Sequence, residues 1–517
     1  MADVLDKCGV AAIYLKKSKK GNYDLEVVPQ LLYVMLSNLQ HRGQLSTGIS
    51  TYNPFNEDNE IRLKLLKDVG DVDAVYKVTK KGPSLDIIKY CKGISGIGHV
   101  RYATSGSGED YLTLRREAQP MLRHHGRASK RFCIGFNGNI ANYDALAKQI
   151  MDEGYILDTK LDTEAIMHLI SLSLKRRIKR NKEGYNKPNL LRISEDLMGR
   201  LDGAYNITAQ FADGNLLVIR DPLGFKPFVW GENEDFYAAA SESVALESIG
   251  ISNFKIIEPG SCLILNTKKP AIKKLVEIHK RSYCHFEYVY FADVNSILDC
   301  GSVNKIRENL GFKLASIEPL KDKFKNTPSD YVVVPVPNTA IPAAEVYAWT
   351  LGIPSRSAIV KTKGSRGFIN KLDEREQIMY REYKIIKERI KGRKVILIDD
   401  SIVRGETSKL IVGLVKNAGA TEVHLRSTEP PLISPCFYGI DFPTYRELIA
   451  ARYPSDKLEE QVANYIGADS VKYQTLDGLV DAIGTKSENL CSACITGQYP
   501  TEAGKHQASE SLSRSKL

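Results

Sequence analysis

Two aspartates, Asp399 and Asp400, close the apolar run Val395–Ile398 and open the stretch Ser401-Ile402-Val403-Arg404-Gly405-Glu406-Thr407-Ser408. Adjacent carboxylates can take sugar hydroxyls or a hard Mg²⁺ ion. The backbone N–H groups and hydroxyls that follow, at the positive end of a helix, suit a phosphate. Strand, carboxylate pair and hydroxyl-bearing loop in that order describe a sugar-phosphate site, although the same order also occurs in solvent-exposed turns.

A second set of residues points to nucleophilic chemistry. Cys8 precedes Gly9 and the strand-like run Val10–Leu15. A lone cysteine is most often a small buried hydrophobe. If residues 1–7 were removed, however, Cys8 would carry a free α-amino group that titrates near about pH 8 and can act as base for its own thiol. Such a thiolate can attack a carboxamide and release ammonia. Arg101, in Gly98-His99-Val100-Arg101-Tyr102-Ala103-Thr104, suits bidentate capture of a carboxylate. Asn137-Gly138-Asn139 offers a side-chain amide and a backbone N–H, the two donors of an oxyanion hole, but is also a turn signal. Asp162, in Leu161-Asp162-Thr163-Glu164, can meet an ammonium group. Cys491-Ser492-Ala493-Cys494 is a CxxC pair open to redox, metal or accidental readings.

These residues need elements to place them. Apolar positions across Leu31–Gln40 predict a helix that stops at Gly43. To about residue 260, short strand-like runs (Phe132–Phe136, Tyr205–Phe211, Leu216–Ile219, Phe228–Trp230) alternate with turns and helical stretches such as Glu164–Leu174. That mixture predicts stacked sheets with covering helices. After Cys284 the pattern changes. A strand at Tyr331–Val334, a helix at Ala340–Leu351, a strand at Lys394–Ile398, a helix at Ser408–Ala418 and a strand at Thr421–Leu425 predict a parallel sheet. The tail 503–517, rich in Ser, Lys and Glu, is expected to be disordered.

Bulk properties narrow the function classes. The 517 residues are 43% hydrophobic and 26% charged, an ordinary globular balance. No apolar run approaches the roughly 20 residues that span a bilayer, and the start, MADVLDKCGV, lacks a secretory pattern. The cytoplasm is therefore the expected location, and no membrane partner is expected. Lys and Arg exceed Asp and Glu by 72 − 62 = 10, which suits a small polyanionic substrate. The basic run Lys175–Lys182 reads as a solvated helix end, and no nucleic-acid signature accompanies it. Nine cysteines in a long chain do not describe a secreted disulfide framework.

The string Ile396–Gly405 resembles the phosphoribosyl pyrophosphate (PRPP) loop of type I phosphoribosyltransferases, and more narrowly that of the amidophosphoribosyltransferase family. By that resemblance Asp399 and Asp400 contact ribose and help hold Mg²⁺, while Ser401, Arg404, Gly405, Thr407 and Ser408 surround the 5′-phosphate. Val336-Pro337-Asn338-Thr339 matches the family's pyrophosphate-side loop, with Thr339 close to the metal. Lys361–Ile369 stands where the family has a basic, aromatic lid. It keeps Lys361, Lys363 and Arg366 but is shorter and lacks the tyrosine. Glu406 replaces a threonine of the family pattern and would place a carboxylate beside a phosphate.

The N-terminal strings, together with Leu39–Gly43, resemble the N-terminal-nucleophile glutaminases that also occur in asparagine synthetase, glucosamine-6-phosphate synthase and glutamate synthase. The resemblance makes Cys8 the nucleophile, Arg101 and Asp162 the glutamine-binding residues, and Asn137 with Gly138 the oxyanion hole. Residues 1–7 become a propeptide, residues 8–260 an αββα-sandwich glutaminase, and 261–502 a phosphoribosyltransferase domain with a cluster-binding C-terminal region. Arg220–Gly224 and Ser241–Ser243 match further motifs and are read as structural. In one branch of the family Cys284, Cys436, Cys491 and Cys494 hold a [4Fe–4S] cluster, although spacing alone suits zinc too. The implied activity uses glutamine and PRPP in a homo-oligomer. A non-catalytic, PRPP-binding regulatory paralogue is the alternative that Glu406 and the short lid keep open.

Overall fold

The computed structural model describes residues 8–17, 22–56, 62–102, 110–176, 179–180, 186–266, 269–361 and 383–515. The expected propeptide and the lid beyond Lys361, with Lys363 and Arg366, lie outside the described residues.

Two antiparallel sheets form the N-terminal unit. The first has the order Phe254–Ile256, Val229–Glu232, Phe236–Ala240, Gly9–Leu15, Ser95–Arg101, Ser46–Tyr52, Leu63–Val69. The second runs Ala271–Lys274, Ser261–Leu265, Leu216–Arg220, Gly203–Phe211, Phe132–Ile140, Met121–Arg123. Strict alternation along Gly9–Leu15 sorts its side chains between two layers. Val10, Ala12 and Tyr14 pack with Val218, Leu263 and Leu265 of the second sheet. Ala11, Ile13 and Leu15 pack with Val28, Leu32, Met35 and Leu36 of the helix Val27–Asn38. The outer face of the second sheet, through Ile134 and Phe136, meets Ile166 and Ile170 of the helix Asp162–Arg176. Each fully buried aliphatic side chain contributes about 1.5–3 kcal/mol. A one-residue slip would turn them all to the wrong layer, so the register is strongly specified.

The second unit is a parallel sheet in the order Tyr331–Pro335, Lys394–Asp399, Glu422–Ser427, Ser470–Tyr473. Val333, Ile396 and Ile398 face Leu314, Ala344 and Tyr347 of the helices Val303–Ser316 and Ile341–Leu351. Val332, Val334, Val395 and Leu397 face Ile411, Val415, Val462 and Ile466 of the helices Glu406–Asn417 and Leu458–Ile466. Asp399 is the last residue of a central strand covered on both faces.

Three expectations are corrected. The second sheet takes in two strands beyond residue 260, so the first unit runs to Lys274. The strand expected over Phe132–Phe136 runs on to Ile140, through Asn137-Gly138-Asn139, paired with Gly203–Phe211. The tail expected to be disordered is a helix, Glu502–Ser515. Its charged sequence hides the docking contacts that order it: Ala503 N–H donates to Asp202 Oδ2 at 3.1 Å and Gln507 Nε2 to the Ala141 carbonyl at 2.6 Å.

Candidate active site

Cys8 stands immediately before the strand Gly9–Leu15 and is partly buried. Gly9 pairs with Val100, so Cys8 and Arg101 are the next residues along two neighbouring strands. Arg101 is 2% exposed, and its NH2 donates to Glu117 Oε2 at 3.0 Å. Its NH1 is buried and finds no hydrogen-bond partner among the described residues. An unpaired buried guanidinium nitrogen is costly, and a substrate carboxylate is the group that would satisfy it.

Asn137 reaches the same region through Ser241. Val10 N–H and Asn137 Nδ2 both donate to Ser241 Oγ, at 3.0 and 3.4 Å, while Ser241 N–H returns a bond to the Val10 carbonyl at 3.0 Å. Ser241 thus ties the strand that follows Cys8 to the strand that carries Asn137. Gly138 has φ +152°, and a Cβ there would lie 2.0 Å from the Ala204 carbonyl oxygen. Only glycine fits. His99 is held neutral by burial, its value pushed down to about 3, and its Nε2–H donates to the Phe136 carbonyl at 2.8 Å. Asp162 is anchored two residues beyond Gly138, accepting from Ile140 N–H at 2.8 Å. Burial, with Asp144 nearby, pushes its carboxyl up to about 7 against the pull of that N–H.

The acceptor site is local. Asp399 and Asp400 are both 7% exposed. Asp400 N–H donates to Asp399 Oδ1 at 2.9 Å, and Ser401 Oγ donates to Asp400 Oδ1 at 3.0 Å. The end of the next strand holds both residues by main-chain bonds: Thr428 N–H to the Asp399 carbonyl and Glu429 N–H to that of Asp400. Val336 N–H donates to the Ile398 carbonyl at 2.9 Å, which brings the loop leading to Thr339 alongside the aspartates. Gly405, at φ +83°, turns the loop into the helix Glu406–Asn417, and Ser408 is buried in its first turn. Thr407 Oγ1 is buried without a partner among the described residues, a hydroxyl awaiting an acceptor. Glu406 is exposed and stands in the first turn, where the helix dipole favours an anion. Its side chain is exposed, whereas those of Thr407 and Ser408 are buried.

Two further residues expected to bind PRPP contact neighbours in the chain. Arg404 NH2 donates to Glu447 Oε2 at 2.8 Å. Lys361 ends the described stretch with its Nζ 5.9 Å from the centre of the Tyr383 ring.

Comparison with known proteins decides the family. A family described as the glutamine amidotransferase domain matches residues 110–248. The chain is 34% identical to the amidophosphoribosyltransferase of Methanothermobacter thermautotrophicus over 99% of both chains. It is 36% identical to that of Archaeoglobus fulgidus, covering 95% of this chain and 98% of the relative. The chain belongs to the amidophosphoribosyltransferase family. Among solved members, the glutamine PRPP amidotransferase of Bacillus subtilis, complexed with ADP and GMP, superposes with a TM-score of 0.78 at 32% identity, over 96% of this chain and 98% of that one. A structure described as the allosteric regulatory enzyme of purine biosynthesis gives 0.80 at 33% identity, over 96% and 97%.

For the family's cysteines the geometry is distinctive. Cys284 and Cys491 are register partners in a short parallel ladder, and the Cys494 carbonyl accepts from Ile433 and Ser434, just before Cys436. Burial pushes the Cys284 thiol up to about 12, and Cys491 and Cys494 are also raised by burial, each with the other cysteines nearby. Among the described residues no three His, Cys, Asp or Glu side chains are arranged to hold a metal ion.

Leu39–Gly43 was named only as a family match and Ser241–Ser243 was read as structural, yet Arg42 Nε donates to the Cys8 carbonyl at 2.9 Å, Arg42 pairs with Glu242, and Ser241 bonds Val10 and Asn137. Arg220 is structural as expected: it pairs with Asp299 at 2.8 Å and donates to the carbonyls of Gly224, Lys226 and Ile257. No described helix is long and apolar enough to cross a membrane.

Proposed function

We propose that the chain converts glutamine, PRPP and water to 5-phosphoribosylamine, glutamate and pyrophosphate, the first committed step of purine biosynthesis. What supports this above all is the pairing, in one chain, of two incomplete sites. One holds a buried guanidinium nitrogen beside a cysteine and the other a buried hydroxyl in a phosphate-type loop, neither with a partner among the described residues.

The Cys8 thiol, its proton taken by the α-amino group freed when residues 1–7 are removed, attacks the carboxamide carbon of glutamine. Asn137 Nδ2 and the Gly138 N–H receive the oxyanion. Arg101 and the ionised Asp162 hold the α-carboxylate and α-ammonium. The C–N bond breaks with proton return to nitrogen, ammonia leaves, and water hydrolyses the thioester to glutamate. At the acceptor site, ammonia bonds to the ribose carbon and pyrophosphate departs with the electrons of the broken C–O bond. Ser401, Thr407, Ser408 and the Gly405 turn cradle the 5′-phosphate.

Asp399, Asp400 and Thr339 would hold Mg²⁺, which offsets the charge of the departing pyrophosphate. A pair of carboxylates suits this ion, since Mg²⁺ is usually bound by one or two carboxylates, water and substrate phosphates. Cys284, Cys436, Cys491 and Cys494 would hold a [4Fe–4S] cluster. Four thiolates on one zinc must converge to roughly 2.3 Å from a single centre, whereas a cluster spreads them over separate irons. Iron and sulfide at about four each per chain is the expected assay result, and stoichiometric zinc would contradict it. We place the enzyme in the cytoplasm as a homo-oligomer; its nine free cysteines suit a reducing compartment.

The direct test is Cys8→Ala. It should lower glutamine-dependent synthesis by roughly 10⁴-fold while ammonia-dependent synthesis stays within about twofold. Loss of both would contradict the division of labour.

A further inference from the structure

Gly138 needs more fixing than its neighbours. Glycine has more conformational freedom to lose than any other residue, and an oxyanion donor works only if it already points where charge develops. Three side-chain contacts pin the strand around it. Asn137, before it, donates through Nδ2 to Ser241 Oγ at 3.4 Å. Ile140, after it, donates its N–H to Asp162 Oδ2 at 2.8 Å. Between them, Asn139 Nδ2 donates to the Phe437 carbonyl at 2.9 Å. The first two contacts stay within the glutaminase unit. The third reaches a loop 298 residues away.

That loop, 435–441, is anchored on both sides of the carbonyl it presents. The Phe437 ring lies 5.2 Å from that of Tyr499, whose Oη donates to the Pro435 carbonyl at 2.6 Å. Tyr438 stacks on Phe225 with ring centres 4.4 Å apart, and its Oη meets Thr501 Oγ1 at 3.0 Å. Tyr438 N–H donates to Cys436 Sγ at 3.4 Å, and Cys436 N–H to the Phe442 carbonyl at 3.2 Å. The buried Lys226 Nζ donates to the Gly439 carbonyl at 3.4 Å. Phe437 therefore offers Asn139 a fixed acceptor, not one that follows it.

The loop also meets the strand directly. Gly439 has φ +96°, and a Cβ there would lie 3.5 Å from the Gly138 carbonyl carbon and 3.6 Å from Asn139 N. Gly138 in turn abuts the Ala204 carbonyl of the paired strand. The Gly138–Asn139 peptide is thus confined by the ladder and by the loop, and the Asn139 amide is the hydrogen bond that joins the two.

We propose that Asn139 is a positioning residue for the oxyanion hole: its bond to Phe437 fixes the Gly138–Asn139 peptide against loop 435–441 and so holds the Gly138 N–H in the direction the oxyanion requires. This rests on the glutaminase reading above. Asn139 acts through Gly138, so its loss falls on the tetrahedral stage of the reaction and spares ground-state binding.

The test uses the full chain with PRPP present and glutamate γ-semialdehyde, the aldehyde analogue of glutamine. The Cys8 sulfur bonds to the aldehyde carbon, the carbonyl π electrons move to oxygen, and that oxygen takes the thiol proton. The resulting hemithioacetal places its oxygen in the hole. In Asn139→Leu, similar in size but without the donor, the inhibition constant of the semialdehyde should rise roughly tenfold. The kcat of glutamine hydrolysis should fall by the same factor, less than the roughly 100-fold cost of losing an oxyanion donor outright. Glutamine KM and ammonia-dependent synthesis should stay within about twofold of the parent. Iodoacetamide, which needs no oxyanion hole, should alkylate Cys8 at the parent rate, read by mass spectrometry. Asn139→Ala should behave alike and supplies the comparison if Asn139→Leu does not fold. Semialdehyde inhibition at the parent strength in either variant overturns the proposal. So does a parallel fall of the ammonia- and glutamine-dependent reactions, or slowed alkylation of Cys8, since either would make the bond merely structural. A parent chain that hydrolyses no glutamine would strike the glutaminase reading itself.

Discussion

The proposed glutaminase site and the proposed acceptor site are built in opposite ways. Cys8, Arg101, Asn137, Gly138 and Asp162 are spread over three strands of two sheets and the start of a helix, and antiparallel register within each sheet plus the packing of one sheet on the other brings them together. Asp399 to Ser408 is a single strand–loop–helix turn at the end of a parallel sheet. The first gains rigidity from two packed layers and pays in tolerance: one misplaced Cβ has no room to move. The second is locally encoded and stands among hydroxyls and main-chain groups that can adjust. Damage should therefore be steep and confined to one reaction in the glutaminase, and graded but common to both nitrogen donors in the acceptor loop.

Gly138→Ala should break the comparison most sharply. With a carbonyl 2.0 Å from the new Cβ and φ at +152°, the strand must shift. Glutamine-dependent synthesis should fall by roughly 100-fold, the scale of losing an oxyanion donor, with ammonia-dependent synthesis retained and a lower Tm. Thr407→Val comes next. Because its hydroxyl is unpaired, Tm should hold or rise, while PRPP affinity falls about tenfold with either nitrogen donor, as expected for one lost hydrogen bond to a charged group; isothermal titration reads both substrates separately. The smallest effect is set by pH. The Asp162 carboxyl, raised to about 7, attracts the glutamine ammonium only when ionised. Protonation as pH falls through that value removes the attraction. Glutamine KM should thus rise roughly eightfold from about pH 7.5 to pH 6, while PRPP KM does not follow it. A flat glutamine KM over that range would remove Asp162 from the binding role.

How much was legible in the sequence follows the same contrast. The acceptor loop could be read directly, since carboxylates, glycine and hydroxyls sit in order after an apolar run. The parallel sheet was legible too, through its strand–helix alternation. The glutaminase strings could be recognised, but not their junctions. The strand was expected to end at Phe136, before Asn137-Gly138, because Asn and Gly favour turns locally, and pairing with Asn206 and Tyr205 carries it on to Ile140. Glu406 looked misplaced because a sequence does not show which way the first residue of a helix faces. The links made by Ser241 and Glu242 stayed silent because they span 100 residues or more. The C-terminal helix was missed because its composition is that of a solvated tail, and a few docking bonds decide its order.

The central claim is that these two unlike sites form one reaction. Glutamate and pyrophosphate released by the intact chain, measured together as glutamine and PRPP are supplied singly and in combination, test it most directly. One glutamate per pyrophosphate, with both rates rising only when both substrates are present, is the predicted result. Glutamate released at the same rate without PRPP, or PRPP bound with no pyrophosphate formed, would contradict it.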